Sequence, residues 1–242
     1  INDVTTEWCH GDILTIVEKA GGVLDTIMLT KPLSAGDVRF LDLMLTQLEK
    51  KLKLDRRIGI EVLIEEVEAL QTVEEIARSS ERLECLIFGM GDYSASQGIQ
   101  TRGIGDAEGY PGDIFHYARF RMTMAARAAK IDAVDGPFAN FSDDTAFRRE
   151  AGRAKALGMV GKWAIHPSQI APALEIFSPT PQEVARARRP DDPTAQAAWA
   201  RPLARRLRDE GSAPVHDALA TAAAPPGTPA ADLLRRERTF FR

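Results

Sequence analysis

Two stretches, IGIEVLIE at residues 58–65 and LECLIFGMGD at residues 83–92, decide the fold. Each opens with a short, almost continuously apolar run, which is typical of a parallel strand buried on both faces. Between them, the pattern Thr72-Val73-Glu74-Glu75 predicts a capping box that opens a helix reaching Ser79. A strand, a helix and a second strand in this order form a βαβ unit. The chain is therefore expected to build a parallel α/β sheet.

The same alternation extends in both directions from this unit. Three more strands are predicted at 24–29, 131–134 and 162–165, and Ile1-Asn2 is the expected end of a further one. The predicted helices cover 12–19, 38–51, 115–129, 144–157 and 168–177, and a second capping box, Thr180-Pro181-Gln182-Glu183, opens one that runs to about Arg189. This pitch predicts a TIM (β/α)8 barrel that lacks its first two to three strands. An open doubly wound sheet is the alternative, although no Gly-x-Gly-x-x-Gly turn follows a strand.

Composition and charge argue against several classes of function. The 242 residues carry 31 Lys and Arg against 35 Asp and Glu, a net charge of −4, which gives no electrostatic reason to expect nucleic acid as a partner. Two cysteines are too few for a zinc cluster or a disulfide framework, and two thiols in a reducing cytoplasm are expected. No apolar run is long enough to cross a membrane, and no signal pattern opens the chain.

The last 53 residues differ from the rest. Residues 190–242 hold 7 of the 14 prolines and 13 alanines, with no Ile, Met or Lys, and cannot build much core. We therefore predict a catalytic domain at 1–189 and an Ala/Pro/Arg-rich tail, loosely helical or disordered, at 190–242. Such a bias is also typical of a high-GC frame read out of register, so a frameshift or gene-end rearrangement near Arg189 is a further hypothesis.

Reactive groups of a parallel barrel stand where its strands end. Glu65 and Asp92 follow two successive predicted strands, and neighbouring strands lie about 4.8 Å apart, so these carboxylates could converge on one ion. Two oxygen ligands with open positions suit Mg²⁺. Alternatively, Glu65 is a solvated acid in a charged stretch, and His166 only caps the helix behind Pro167. Arg102, Arg119 and Arg121 are expected in ion pairs or on the surface rather than as phosphate ligands.

Five motifs in order carry a resemblance that covers about residues 1–189. They are Ile64–Leu70, Leu86–Tyr93, Gly109–Asp113, Asp135–Phe138 and, most specifically, Gly161–Ile170, which reads GKWAIHPSQI. In these motifs the sequence resembles the malyl-CoA and β-methylmalyl-CoA lyase branch of the citrate lyase β-subunit-like family of HpcH aldolases.

The resemblance implies a TIM barrel of the phosphoenolpyruvate/pyruvate-binding type that assembles in the cytoplasm as a homo-oligomer, a trimer or hexamer. It implies Mg²⁺, with Mn²⁺ as the alternative, on Glu65 and Asp92. Gly91 and Asp92 would also contact the small carboxylate product, and Ile165 and His166 the coenzyme A thioester. The implied reaction is reversible C–C cleavage of malyl-CoA to acetyl-CoA and glyoxylate, or of β-methylmalyl-CoA to propionyl-CoA and glyoxylate.

The sequence departs from the family's pattern in three places. The opening strands have no match, and the Arg that stabilises the enolate would fall just before Ile1. The family's Pro-Lys-Val is Thr30-Lys31-Pro32 here. The lid with its acid/base Asp has no match after Arg189, and neither Asp217 nor Asp232 has its context, so no catalytic residue is assigned. An HpcH-type aldolase acting on a free 4-hydroxy-2-oxo acid, a malyl-CoA thioesterase and an inactive fragment remain the alternatives.

Overall fold

The computed structural model describes residues 1–100, 112–180 and 182–183. Five parallel strands form one sheet in the order β1 to β5. The strands are β1 Thr26–Leu29, β2 Gly59–Ile64, β3 Leu83–Phe88, β4 Asp132–Asp135 and β5 Gly161–Lys162. The expected parallel α/β class is confirmed, and four of the predicted strands are found within two residues of their predicted ends.

Helices precede, separate and follow the strands. They are α1 Cys9–Ala20, α2 Ala35–Leu52, α3 Val67–Gln71, α4 Val73–Ile76, α5 Met90–Ser96, α6 His116–Ala129, α7 Asp144–Ala156 and α8 Ile170–Phe177, the last entered through a 3₁₀ turn at Pro167–Gln169. Because each strand pairs with the next one in sequence and right-handed crossovers are the rule, the helices cover one face of the sheet. A doubly wound sheet would reverse its strand order, whereas this order is that of successive barrel units. Within the described residues the sheet does not close.

Apolar side chains pack on both faces of the sheet. The larger cluster lies between sheet and helices and includes fully buried Leu41, Ile60, Leu86 and Phe88. On the other face, which is the inside of a barrel, a smaller cluster joins Leu63, Cys85 and Ile87 with the partly buried Met28, Val134 and Trp163. Burial on both faces explains why β2 and β3 are apolar at nearly every position rather than at alternate ones.

The fifth strand is shorter than predicted. Only Gly161 and Lys162 pair as a strand, and the Trp163 N–H makes the last rung, to the Asp135 carbonyl at 3.0 Å. Pro137, which follows the neighbouring strand, has no N–H to donate to a further rung. The Ile165 N–H donates instead to Gln169 Oε1 at 2.8 Å.

The capping box predicted at Thr72 is wrong. Thr72 ends α3 and starts α4, and its hydroxyl donates to the carbonyls of Leu33 and Glu68 rather than accepting from α4. A helix arriving from Val67 leaves Thr72 in a non-extended conformation, with φ −115° and ψ 19°, which a capping residue does not adopt.

Backbone contacts divide the chain into Ile1–Phe177 and Ser178–Arg242. In the described part of the second unit, the Glu183 N–H donates to Thr180 Oγ1 at 3.2 Å and the Thr180 N–H to Glu183 Oε2 at 2.8 Å, as the second capping box predicts. The predicted boundary at residue 189 lies outside the described residues. No helix among the described residues has the length and apolar character to span a membrane.

Candidate active site

Glu65 and Asp92 lie at adjacent strand ends, as predicted. Glu65 directly follows β2 and is 4% exposed, while Asp92 is in the first turn of α5, just after β3, with its side chain 58% exposed. β2 and β3 pair directly, with Ile64 opposite Phe88. One carboxylate therefore lies at the floor of the site and the other at its open rim.

Lys31, which follows β1, contacts both acids. Its backbone N–H donates to Glu65 Oε1 at 3.1 Å, and its ammonium donates to Asp92 Oδ1 at 2.9 Å. The same ammonium reaches Glu66 Oε1 at 3.4 Å. The hydrogen bond to Asp92 raises the pKa of Lys31, which keeps the side chain charged. Three adjacent strand ends thus meet at one cluster of a lysine and three carboxylates.

Two glycines allow the strand ends to come this close. A β-carbon on residue 89 would lie 2.6 Å from Glu65 Cβ and 2.9 Å from Glu65 Oε2. A β-carbon on residue 136 would lie 1.9 Å from the Phe88 carbonyl oxygen. Glycine at residue 89 therefore makes room for the Glu65 carboxylate, and glycine at residue 136 lets β4 end against β3.

The environment of Glu65 favours its protonated form when no cation is bound. Burial, and then the negative charge of Asp92, raise its pKa from the ordinary 4.5 to about 7, against the opposing effect of Lys31. A metal ligand must be deprotonated, so a cation bound by Glu65 would displace this proton.

The two acids suit a hard divalent cation. Both offer carboxylate oxygens, which Mg²⁺ prefers over nitrogen or sulfur. Among the described residues no group of three His, Cys, Asp or Glu side chains is placed to hold a metal. Two protein ligands at a strand-end rim leave the remaining positions to water and substrate, as is usual for Mg²⁺.

A buried ionic network lies beside this site, at the ends of β4 and β5. Lys162 donates to Asp135 Oδ2 at 2.7 Å, to Glu150 Oε1 at 2.6 Å and to the Gly136 carbonyl at 2.8 Å, so its three protons are all used. Arg119 Nε donates to Asp135 Oδ1 at 2.8 Å and its Nη1 to Asp113 Oδ2 at 2.8 Å. The network fixes Gly136, which in turn touches Phe88 at the end of β3.

Ile165 and His166 lie in the loop after β5, three strands away from Glu65. Ile165 is 52% exposed, and the His166 ring stacks on Phe141 with centroids 4.5 Å apart. His166 Nδ1 accepts the Ser168 N–H at 3.2 Å, which caps the 3₁₀ turn as the simpler interpretation predicted. The hydrogen bonds of this loop run to Ser168 and Gln169, not to the two acids.

The arginines behave as expected where they are described. Arg119 is buried in the ionic network, and Arg121 pairs with Glu74 at 3.1 Å. Arg102 and the stretch Gly109–Pro111 lie outside the described residues. Sequence reasoning missed Lys31, whose signal was its position directly after a predicted strand, and it missed the pairing of Lys162 with Asp135.

The sequence profile of the HpcH/HpaI aldolase/citrate lyase family matches residues 1–167. The chain belongs to this family. The family assignment made from the five motifs is thereby confirmed.

Curated proteins with similar sequences are named as lyases. The chain is 41% identical over 198 residues to an L-malyl-CoA/β-methylmalyl-CoA lyase of Cereibacter sphaeroides, an alignment covering 78% of this chain and 62% of the relative. It is 32% identical over 206 residues to the malyl-CoA/β-methylmalyl-CoA/citramalyl-CoA lyase of Chloroflexus aurantiacus, covering 78% and 59%, and 30% identical over 190 residues to the citrate lyase β subunit of Escherichia coli, covering 78% and 60%. The chain thus spans about 60% of the length of these relatives.

Solved structures agree in fold. RipC of Yersinia pestis superposes with a TM-score of 0.64 at 30% identity, covering 76% of this chain and 77% of that one. The CitE protein of Mycobacterium tuberculosis, solved in complex with magnesium and acetoacetate, superposes with a TM-score of 0.59 at 26% identity, covering 74% and 67%. A malate synthase of Haloferax volcanii has a TM-score of 0.64 at 21% identity, covering 75% and 53%, which speaks for the fold alone.

Proposed function

We propose that this chain belongs to a Mg²⁺-dependent carbon–carbon lyase that cleaves a 3-hydroxyacyl-CoA, with malyl-CoA or β-methylmalyl-CoA as substrate and glyoxylate as one product. The observation that carries the proposal is the pairing of Glu65 and Asp92 at adjacent strand ends, both contacted by Lys31. The names of the relatives supply the substrate class, and the magnesium complex of the Mycobacterium tuberculosis protein supplies the metal.

Glu65 and Asp92 would hold the ion. When bound, Mg²⁺ would supply Lewis-acid stabilisation of negative charge on the substrate oxygens. The burial of Glu65 keeps water from that side of the site, and the exposure of Asp92 leaves the opposite side open to substrate.

Gly91 and Asp92 offer their backbone to the carboxylate product. The first N–H groups of a helix have no intrahelical acceptor, and those of residues 91 and 92 stand at the start of α5. The thioester would lie against the exposed Ile165 and the stacked His166 and Phe141. Ile165 and His166 follow β5 and Phe141 follows β4, at the rim where parallel barrels bind their ligands.

Two roles in the proposed reaction are not assigned to a residue of this chain. They are the general acid/base and the cation that stabilises the enolate. Assembly as a homo-oligomer and residence in the cytoplasm remain predictions, as does the domain boundary at residue 189.

The decisive experiment incubates the purified chain with malyl-CoA and Mg²⁺, with and without EDTA, and follows glyoxylate. We expect Mg²⁺-dependent glyoxylate release that is lost in Glu65→Gln and in Asp92→Asn but kept in Asp144→Asn, a matched change at an exposed carboxylate on α7. Release of free malate and coenzyme A without glyoxylate would indicate a thioesterase instead. Cleavage of a free 4-hydroxy-2-oxo acid alone would indicate an HpcH-type aldolase, and no turnover with any substrate an inactive fragment.

A further inference from the structure

The ammonium of Lys31 pairs with Asp92, one of the two proposed metal ligands. It is 2.9 Å from Asp92 Oδ1 and 3.4 Å from Glu66 Oε1, and its own backbone N–H holds Glu65 Oε1 at 3.1 Å. One residue therefore supplies hydrogen bonds to both proposed metal ligands. Its positive charge offsets the negative charge of this acidic cluster.

The backbone of Lys31 is held in an uncommon conformation. Its φ is +49°, a region that side-chain-bearing residues seldom adopt, and Pro32 follows it, which normally favours an extended residue. Lys53 and Lys130 also have positive φ, but they end helices α2 and α6, where a left-handed residue is ordinary. Lys31 follows a strand, so its conformation serves the site rather than a helix end.

A divalent ion bound at Asp92 would lie close to this ammonium. Mg²⁺ binds carboxylate oxygens at about 2.0–2.1 Å, which would bring it within a few ångströms of Lys31 Nζ. Repulsion between a double and a single positive charge at that distance outweighs what a half-exposed ion pair contributes. Glu66 provides the second acceptor, since its side chain is 23% exposed and already within 3.4 Å of the ammonium.

We propose that Lys31 is a displaceable internal counter-ion of the metal site, which neutralises Asp92 in the metal-free chain and transfers to Glu66 when the ion binds. The inference rests on the proposed metal site of Glu65 and Asp92. Lys31 then competes with the metal for Asp92. Its side chain lowers the affinity for Mg²⁺ and stabilises the metal-free site.

Calorimetric titration with Mg²⁺ at constant pH and ionic strength tests this directly. We expect Lys31→Met to bind Mg²⁺ about three- to tenfold more tightly than the unmodified chain, the range set by losing an exposed ion pair and a nearby positive charge. Lys31→Arg keeps the charge and should stay near the unmodified affinity. Lys51→Met is the matched control, because it removes an equally charged side chain paired with Glu18 at 2.9 Å on the surface.

The titration separates this inference from the proposed function. An unchanged or weaker affinity in Lys31→Met would overturn the competition but leave the metal site standing. If the unmodified chain bound no Mg²⁺, or bound it equally well as Glu65→Gln, the metal site itself would be refuted and the counter-ion role with it.

A second measurement uses the unmodified sequence and does not depend on the folding of Lys31→Met. Lysines are reductively methylated with ¹³C, and the signal missing in Lys31→Arg is assigned to Lys31. We expect this signal to move on addition of Mg²⁺ while that of Lys51, assigned in the same way through Lys51→Arg, stays. A Lys31 signal that remains in place while Mg²⁺ binds would show that the ammonium is not displaced.

Discussion

The carbonyl oxygen of Phe88 lies only 1.9 Å from the position that a β-carbon on residue 136 would take. Phe88 ends β3 and Gly136 follows β4, so this contact joins the two strands just beneath the site. Lys162 holds the contact in place, because its ammonium binds the Gly136 carbonyl at 2.8 Å. The strand end that precedes Asp92 therefore packs against a glycine whose carbonyl Lys162 binds.

Gly136→Ala should be strongly destabilising. The new methyl group meets backbone rather than a movable side chain, so β4 must shift away from β3, at a cost of about 2–4 kcal/mol in the free energy of unfolding. Denaturant unfolding measures this cost. Gly152→Ala, in α7 with nothing within 4 Å of the added methyl group, is the matched control and should gain about 0.5–1 kcal/mol. Equal effects at both positions would contradict the close approach.

Lys162→Met should also destabilise the chain. The substitution removes the ammonium that the fully buried Asp135 shares with Glu150. Because Arg119 still pairs with Asp135 at 2.8 Å, we expect the lower end of the about 3–5 kcal/mol that breaking a buried pair costs. Arg148→Met, which breaks exposed pairs with Asp144 and Glu175, should cost less than about 1 kcal/mol. Adding Glu150→Gln to Lys162→Met should restore part of the lost stability. Thermal unfolding of the unmodified chain, the two single variants and the double variant measures these differences.

Glu65 should make the metal-free chain less stable as the pH rises. Its folded-state pKa of about 7 lies above the ordinary 4.5, so folding favours the protonated form. The stability from this group is full below pH 4.5 and is lost as the pH rises to about 7. In EDTA, Glu65→Gln should therefore match the unmodified chain near pH 4 and exceed it by about 2 kcal/mol at pH 8. An equal difference at both pH values would contradict the raised pKa.

Binding of Mg²⁺ should reverse the effect of pH on stability that Glu65 produces in the metal-free chain. The ion needs the carboxylate, so its apparent affinity should rise as the pH increases through about 7, and binding below that pH should release a proton. Titration calorimetry in two buffers of different ionisation enthalpy measures the proton directly. A binding enthalpy that is the same in both buffers at pH 6 would show that Glu65 is already ionised.

The sequence predicted the elements that follow general rules. β2 and β3 were predictable because buried parallel strands are apolar throughout, and the convergence of Glu65 and Asp92 follows from the pairing of consecutive strands. The capping box at Thr180 was predictable from its pattern. These features depend on residues close in sequence or on a topology with few alternatives.

The remainder depends on contacts that a single sequence does not show. Lys31 contacts Asp92 from a backbone conformation that its own residue type and the following proline both disfavour. Thr72 has a capping pattern, but the arrival of α3 determines its conformation. The burial of Lys162 with Asp135 joins two motifs separated by a strand crossover, and β5 ends early because of a proline in its neighbour.

His166 combines two roles that one substitution can separate. Its Nδ1 caps the 3₁₀ turn, and its ring stacks on Phe141 at 4.5 Å. Asparagine caps helix starts well but offers no ring, so His166→Asn should keep the stability within about 0.5 kcal/mol, whereas His166→Ala should lose about 1 kcal/mol. If the stacked pair supports the thioester, both variants should bind acetyl-CoA several-fold more weakly in a calorimetric titration. Full affinity in His166→Asn would reduce His166 to a cap and move the thioester site away from this loop.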